Sequence, residues 1–391
     1  MLKIKKIIQS IKNDKREIYR IHIAHSIRSI SLSFITIYAP IYLLRNGFSL
    51  EKTIHFYTIF HIFGLLVTLF FLVPMMKKIG LSRIFRLYYP LEMAYYAFLF
   101  FMQSLGIPFW LVAMIGGAAT FIYWVPLNIL LVRHSDFDKM GTDLATFFAL
   151  PKMLQVFNPL ISLALIYSLG FWSIFSIVIL GLVASYIPLY KIKSQESKLN
   201  LNWKNFWIKF KKRKSLFFLE SLDNIIEESH WFWSIYVYLI LGSLVAPGIV
   251  GTLSSLGGII FMFLVGKKSN GKPEKLIVWA SALMILISFL RIYIVDQYLA
   301  YGLTLVGSFA MTFLLVPYFS YIYKSIKDKD EEEFIILREI PTVFGRLIVF
   351  GFILLTISHP NLFFLLPLAI SFLLLVIFVM RKKFSFLGVA G

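Results

Sequence analysis

Ionisable side chains interrupt the long apolar runs of this 391-residue chain, and the densest group lies in the run 215–241. Glu220, Asp223 and Glu227 recur at intervals of three and four residues, which places them on one face of a helix. Glu228 follows directly. Charged groups are costly to place among apolar ones, so they mark solute pathways, ion pathways or proton relays. This group therefore predicts solute binding or proton transfer.

Basic residues of the first apolar run occupy positions equivalent to these acids. Aligned on Tyr38 and Tyr236, the pairs are His25 with Asp223 and His22 with Glu220. Opposite charges that face each other across a cavity would close a gate, and histidine can also exchange protons near neutral pH. We expect the deeper groups, Asp223, Glu227 and Arg28, to be functional. For Glu220 and His22, solvation at the membrane surface is an equally open interpretation.

The run 333–357 adds Arg338, Glu339 and Arg346 around a proline and a glycine. Arg346 lies midway along this run, where it would bind an anion or form a structural ion pair with an acid such as Glu339. The fifth run carries Lys152 between two prolines, which free backbone carbonyl groups and kink a helix. These residues are further candidates for a solute pathway or for ion pairs.

Other ionisable residues have structural interpretations. Glu92 in the third run is expected to pair within its own bundle, because an unpaired carboxylate is costly to bury. Arg291 lies near the outer end of its run, so we expect its long side chain to extend toward the membrane surface and Asp296. His61 either lines a cleft or bonds to a neighbour, with the second favoured.

These residues must be positioned by membrane helices. The chain is 59% hydrophobic and 15% charged, with a mean hydropathy of +0.79, and a soluble protein of this length cannot bury so much apolar surface. The pattern is one of continuous apolar runs and not of alternation, which favours an all-α integral membrane protein. About twelve runs are long enough to span: 21–45, 53–76, 84–105, 108–132, 143–168, 170–190, 215–241, 244–266, 275–294, 297–323, 333–357 and 360–380.

Lysine and arginine concentrate in alternate loops, such as 77–86, 191–214 and 267–275, whereas intervening loops such as 105–108 and 359–361 are nearly bare. The positive-inside rule makes the basic loops cytoplasmic, so we expect both termini inside and the protein in the cytoplasmic membrane. The net charge of +19 follows from this bias, and the membrane interpretation is favoured over nucleic-acid binding. The basic amphipathic N-terminus is expected to lie on the inner leaflet, without a cleaved signal.

Short motifs recur in the same order in the two halves. Val125-Pro126 returns as Val316-Pro317, and Lys77-Lys78 as Lys267-Lys268. We expect two parallel six-helix repeats with a substrate site between them. The expected divisions are a first bundle over 1–190, a linker over 191–214 and a second bundle over 215–391. The linker has an apolar stripe that suggests an interfacial helix, with a plain solvated linker as the alternative: Leu199, Trp203, Phe206, Trp207 and Phe210.

This organisation resembles the major facilitator superfamily of transporters over nearly the whole chain. The family's signature loop joins its second and third helices with a glycine, an Asp-Arg pair and basic residues. Here the loop 77–86 keeps Gly80 and the basic residues but has no aspartate, and the second copy, 266–273, has Asn270 where an acid is expected. No subfamily signature is present. The resemblance implies that the first and seventh helices line a central cavity. In the family the signature loop helps to hold the outward-open state by charge pairing, a mechanism for which the loops of this chain lack the acid.

The favoured function is secondary transport of a small solute by alternating access, with proton coupling as an option. Aromatic residues of the fourth, seventh and tenth runs suit amphipathic or apolar solutes, although core packing also explains them: Tyr123, Trp124, Trp231, Trp233, Tyr236, Tyr318 and Tyr321. The alternatives are a non-transporting receptor or scaffold and a lipid-modifying membrane enzyme. No phosphate-binding loop, zinc-protease motif, nucleophile elbow or cysteine is present, so we expect no catalytic residue, metal or cofactor. The expected partners are the solute, protons and the lipid bilayer.

The loop charges generate a prediction about orientation. Fluorescent or phosphatase reporters fused to either terminus are expected to report a cytoplasmic location, because the flanking loops are basic. An external terminus would contradict both the even number of spans and the assignment of the basic loops.

Overall fold

The computed structural model describes residues 19–134, 137–190, 203–260, 262–294, 296–325 and 331–380. The predicted N-terminal surface helix and most of the linker, including Leu199, lie outside these residues. Within them the chain is helical, without strands, as predicted.

The helices of the first half alternate with short turns. They are α1 (19–33), α2 (Ala39–Arg45), α3 (Leu50–Val67), α4 (Val73–Ile79), α5 (Leu81–Phe101), α6 (Phe109–His134), α7 (Met140–Leu154), α8 (Asn158–Leu169) and α9 (Phe171–Tyr186). A π-helical stretch, Thr68–Leu72, continues α3 into α4. Gly80 has a φ of +81°, a conformation that favours glycine, and so permits the direct turn from α4 into α5.

A short amphipathic helix, α10 (Trp203–Lys212), precedes the second half. The following helices are α11 (Lys214–Leu241), α12 (Val245–Ile260), α13 (Met262–Ser269), α14 (Pro273–Ile292), α15 (Gln297–Lys324), α16 (Glu331–Leu355) and α17 (Leu365–Val379). Taking α1–α2, α3–α4, α7–α8 and α12–α13 as broken helices, the described elements apart from α10 form twelve membrane segments, six in each half. This confirms the predicted fold class.

Hydropathy alone detects fewer of these segments. Seven helices in the described part of the chain are long and apolar enough to cross a membrane, or eight if α12 and α13 form one span. The four segments that do not qualify are α1–α2, α5, α11 and α16. Each carries buried charged or histidine side chains, so the segments that look least like membrane helices hold the candidate site.

The linker helix α10 packs against the second bundle. Phe210 stacks on Phe217 with ring centroids 4.6 Å apart, and Phe217 in turn stacks on Phe334 at 5.3 Å. Lys209 forms an ion pair with Glu333. Trp207 is exposed, so α10 divides its apolar residues between the protein and its surroundings.

The two bundles meet closely at the end of the molecule where α4 and α13 carry their paired lysines, called here the basic end. A Cβ atom added to Gly141 of α7 would lie 2.6 Å from the carbonyl oxygen of Gly266 in α13. Asn270 follows α13; its Oδ1 accepts a hydrogen bond from the Thr142 amide at 3.2 Å, and its Nδ2 donates to the Thr142 hydroxyl at 2.7 Å. Asn270 thus accepts a hydrogen bond from a backbone amide in the first turn of α7. An asparagine can make this bond in place of the acid that the family's signature has at this position.

The glycine contact yields a prediction about closure. Gly141→Val is expected to destabilise the closed basic end by roughly 1–3 kcal/mol, because the added atoms overlap the backbone carbonyl oxygen of Gly266 and the Cβ atom of Ser269, neither of which can rotate away. Thermal unfolding and the reactivity of a cysteine introduced at Ser269 measure this effect. Gly302→Val is the matched control, since a Cβ at Gly302 meets no atom within 4 Å. Equal behaviour of the two variants would contradict the closure.

Candidate functional site

A cavity of about 550 Å³ lies between the bundles. Helices α1, α3, α5 and α6 contribute to its wall from the first half, and α11 and α12 from the second. Its aromatic lining comes from both halves: Tyr57, Tyr95, Tyr96, Trp124, Trp231 and Trp233. Its polar lining includes Ser29, Ser33, Thr36, Thr120, Gln155, His230, Ser254 and Ser255. This central cavity therefore offers apolar rings and hydrogen-bonding groups to one solute.

Arg28 and Glu92 form one polar patch of the cavity wall. Arg28 Nη2 donates to Glu92 Oε1 at 2.8 Å, and Arg28 Nε donates to Oε2 at 3.1 Å. The guanidinium also bonds to the Tyr88 hydroxyl and lies 3.8 Å from the ring centroid of Tyr123. The structure therefore places Arg28 against an acid of its own bundle, and not against the acids of α11. This bidentate geometry fixes α1 to α5.

His25 lies one turn before Arg28 and is also held within the first bundle. Its Nδ1 is 2.6 Å from the Tyr123 hydroxyl, and its ring stacks on Phe147 at 4.2 Å between centroids. His22 makes an edge contact with the same phenylalanine. The positions equivalent in the sequence repeat, His25 and Asp223, are thus not brought together.

A second cavity of about 210 Å³ shares Thr120 and Trp124 with the central cavity. Its charged lining comes from α11 and α16: Glu220, Glu227, Arg338, Glu339 and Arg346. The two helices approach closely here, since a Cβ on Gly345 would lie 2.5 Å from the Ser221 carbonyl oxygen. The glycine predicted beside Arg346 is thus a contact point between helices.

Arg346 connects the bundles. Its Nε lies 3.3 Å from Glu228 Oε2, and its Nη2 lies 4.0 Å from Glu227 Oε2. Its Nη1 donates to His61 Nδ1 in α3 of the first half at 3.3 Å. Sequence reasoning did not find His61 as the partner across the interface, because nothing in the spacing shows which helix faces α16.

Arg338 and its neighbours form a second charged cluster inside the second bundle. Its guanidinium lies 3.5 Å from Glu220 and 3.9 Å from Glu339, and Nη1 donates to the Tyr323 hydroxyl at 2.8 Å. Asn224 also donates to Glu220. Glu220 is 1% exposed, which shows that it is packed and not solvated as one interpretation allowed.

Asp223 differs from the other acids. It has 0% exposure, and neither carboxylate oxygen has a hydrogen-bond partner among the described residues. The buried Tyr318 hydroxyl is likewise without a partner there and lies within electrostatic reach of Asp223. An ionised carboxylate without a partner is costly to bury, so Asp223 is the acid of this group whose charge the described residues leave uncompensated.

Arg291 does not extend toward Asp296, contrary to expectation. Its guanidinium is 2% exposed and lies over the Trp233 ring, 4.2 Å from the centroid. Asp296 instead caps α15, where its Oδ1 accepts from the amides of Tyr298 and Leu299 at 2.8 and 3.0 Å. Gly307 opposite leaves room for the guanidinium. An arginine side chain is long enough to extend toward the membrane surface or into the bundle. The prediction from sequence position alone was therefore wrong for Arg291.

Lys152 lies on α7 at the junction with the second bundle. Its Nζ is 3.2 Å from where a Cβ on Gly258 of α12 would lie, so this glycine makes room for the ammonium group. The described residues give Nζ no hydrogen bond and no ion pair, although Glu227 lies within electrostatic reach. No group of three His, Asp or Glu residues in the described ranges is arranged to hold a metal ion.

The Arg28–Glu92 pair supports a prediction about stability. Glu92→Leu is expected to destabilise the protein by about 3–5 kcal/mol, because it leaves the Arg28 charge buried without its acid. The double variant Arg28→Met with Glu92→Leu is expected to recover most of the loss. Thermal unfolding in detergent measures both, and an additive loss in the double variant would contradict the pairing argument.

No protein-family model matches this sequence, and no curated protein sequence matches it. Solved structures do match. The E. coli fucose:proton symporter FucP aligns with a TM-score of 0.70 at 12% identity, covering 93% of this chain and 98% of FucP. A bacterial homologue of the iron transporter ferroportin in its outward-facing state aligns at 0.69 and 14% identity, covering 94% and 99% of the two chains. The human organic anion transporter MFSD10 aligns at 0.65 and 13%, covering 92% and 99%. The chain therefore has the fold of the major facilitator superfamily of transporters, as the sequence resemblance implied.

Proposed function

We propose that this protein is a secondary transporter that carries a small solute across the membrane by exposing the central cavity to each side in turn. The observation that carries the proposal is the cavity itself. It holds about 550 Å³ between two bundles, and side chains of both bundles line it. Rocking of one bundle against the other would change access to such a site without taking it apart.

The contacts between the bundles support this motion. At the basic end they comprise the backbone approach of Gly141 to Gly266, the Asn270–Thr142 hydrogen bonds and an ion pair between Arg133 and Glu332. Polar contacts at a helix end can exchange partners with water. The tightly packed core pairs, such as Arg28 with Glu92, lie within one bundle and would travel with it.

Proton coupling is the second part of the proposal, with Asp223 as the proton carrier. Its charged and titratable neighbours are Glu220 and Glu227 on its own helix, Arg338 on α16 and Tyr318 on α15. Two acids nearby, and the lack of a hydrogen bond from any described residue, favour the protonated carboxyl in this state. A rearrangement that brought Asp223 to water or to Arg338 would release the proton.

Asp223→Asn is therefore expected to leave the thermal stability unchanged within experimental error, because an amide replaces a neutral carboxyl of the same shape. In proteoliposomes the variant is expected to exchange solute but not to accumulate it in response to a pH gradient. Solutes are first selected by the thermal shift that they produce in the purified protein.

Glu51→Gln serves as the control, since Glu51 is an exposed acid at the start of α3. Accumulation driven by a pH gradient in the Asp223 variant, equal to that of the parent, would exclude this residue as the proton carrier. Absence of exchange for every stabilising solute in the parent protein would contradict the transport function itself.

A further inference from the structure

The second bundle contains a buried cation without an acid. Arg291 has no ion pair in the described part of the chain, and its Nε and Nη2 atoms are buried without hydrogen-bond partners. Its guanidinium lies over the ring of Trp233 at 4.2 Å from the centroid, with the ring of Phe364 further away at 5.9 Å. An isolated guanidinium in an apolar interior is costly, and a cation–π contact offsets only part of that cost. The described surroundings of Arg291 therefore lack a negative charge that would pair with it.

Trp233 connects this cation to the central cavity. One face of the tryptophan lies under Arg291, its Nε1 donates to the Thr304 hydroxyl at 2.8 Å, and the residue lines the cavity. His230, which also lines the cavity, has a buried Nδ1 without a partner among the described residues. His230 lies within electrostatic reach of Arg291. Two groups with unsatisfied donor or acceptor capacity therefore border the same wall.

Lys152 extends this basic region from the opposite bundle. Gln155 lies one turn after Lys152 and lines the cavity. On the opposite bundle, Ser254 also lines the cavity, one turn before Gly258, the glycine that makes room for the Lys152 Nζ atom. Lys152 does not itself line the cavity, but it lies one helical turn beyond these two lining residues, on the side of Gly258. It is also within electrostatic reach of His230. An anion at this end of the cavity would lie near the Lys152 ammonium group and the His230 imidazole, one from each bundle, with the Arg291 guanidinium on the far side of Trp233.

The nearby acids do not supply the missing charge. Glu92 lines the cavity but is bound by both arms of Arg28. Glu227 and Glu228 both lie close to Arg346. Glu227 also interacts electrostatically with Lys152. These acids and bases balance one another, whereas no acid among the described residues forms an ion pair with Arg291.

We propose that the central cavity is a site for an amphipathic organic anion. Its carboxylate or phosphate group occupies the end bordered by His230 and Lys152, with Arg291 behind Trp233 supplying the compensating charge. Its apolar part lies against the aromatic lining, including Trp124 and Trp231. This inference rests on the proposed transport function and names its substrate class. It also gives Lys152 a role in closure, because an anion between the bundles would hold α7 and α12 together.

The test is binding to the detergent-purified full-length protein at constant ionic strength. The probes are benzoate, 1-naphthoate and phenyl phosphate, with benzamide and 1-naphthamide as neutral analogues of the same shape. At least one organic anion is expected to raise the unfolding temperature in a saturable manner, whereas the neutral amide of the same shape is expected to leave it unchanged. Potassium chloride and inorganic phosphate are expected to produce no saturable shift of comparable size.

Three variants locate the site. Lys152→Gln is expected to weaken the apparent affinity for the anion roughly tenfold, the usual effect of losing one charge-assisted hydrogen bond. Arg291→Met is expected to raise the unfolding temperature of the unliganded protein, since it removes an uncompensated charge, and to abolish the preference for anion over amide. Lys211→Gln on the exposed face of α10 is the matched control and is expected to bind as the parent does.

Several outcomes would overturn the proposal. Equal stabilisation by acids and amides would show that the cavity selects neutral solutes. A full shift with chloride or inorganic phosphate would show that Arg291 binds a structural counterion. The proposal would also be excluded if no organic anion shifted the unfolding temperature, or if Lys152→Gln and Arg291→Met both bound the anion with the affinity of the parent. If Arg291→Met fails to fold, the affinity of Lys152→Gln alone is the test. Because binding is measured without transport, anion binding without exchange in liposomes would refute the proposed function alone.

Discussion

Charge buried in a membrane protein needs a partner, and this requirement organises the interior of the molecule. Most buried charges meet it within a few ångströms: Arg28 binds Glu92 through two hydrogen bonds, and Arg338 lies between Glu220 and Glu339. Each such pair is costly to separate because loss of one partner leaves the other charge buried without compensation. The pairs therefore fix the register of α1 on α5 and of α11 on α16. Rigid bundles follow from this pairing.

The contacts between bundles are of a different kind. Arg346 reaches His61 across the interface, and Asn270 binds the first turn of α7. An imidazole ring and an amide carry no negative charge and are therefore weaker partners than carboxylates, so these bonds can break at a smaller cost. Among the described residues, one strong pair also joins the bundles, Arg133 with Glu332 at the basic end, and opening of that end would have to break it. The other contacts named between the bundles are weaker than the pairs inside them, as expected for two rigid bodies with a labile interface. In the part of the chain that the structure describes, the acid Asp223 and the cation Arg291 stand outside this scheme, because neither has an ion-pair partner there; we propose that a proton and an anion take that place.

The sequence predicted the architecture well and the site only in part. Hydropathy, alternating loop charge and the offset between repeats predicted a twelve-segment helical membrane protein, because these signals depend on lipid and water and not on neighbouring helices. The location of buried charge was also visible, since any acid in an apolar run is unusual. Pairing was not visible, because it depends on how each helix is rotated. His25 and Asp223 are equivalent in the repeat, yet each points into its own bundle.

Arg291 is a second case in which the orientation of a side chain could not be predicted from the sequence. Its position near the end of an apolar run is compatible with reaching the surface or with turning inward. The decision depends on Gly307, which leaves space, and on Trp233, which provides a ring to stack on. Both residues belong to other helices. Hydroxyl-bearing residues of the cavity wall, such as Ser254 and Thr36, carried no signal, because serine and threonine are common throughout membrane helices.

The central claim is that two rigid bundles alternate around the cavity, and a pair of spin labels across the basic end tests it most directly. The chain has no cysteine, so Lys139→Cys with Lys268→Cys introduces two unique labelling positions, both exposed, on opposite bundles. Lys77→Cys with Lys139→Cys reports a distance within the first bundle as a control. The account predicts two distance populations for the first pair, whose ratio changes with pH and with a stabilising solute, and one constant population for the second. A single short distance across the basic end under every condition would contradict it.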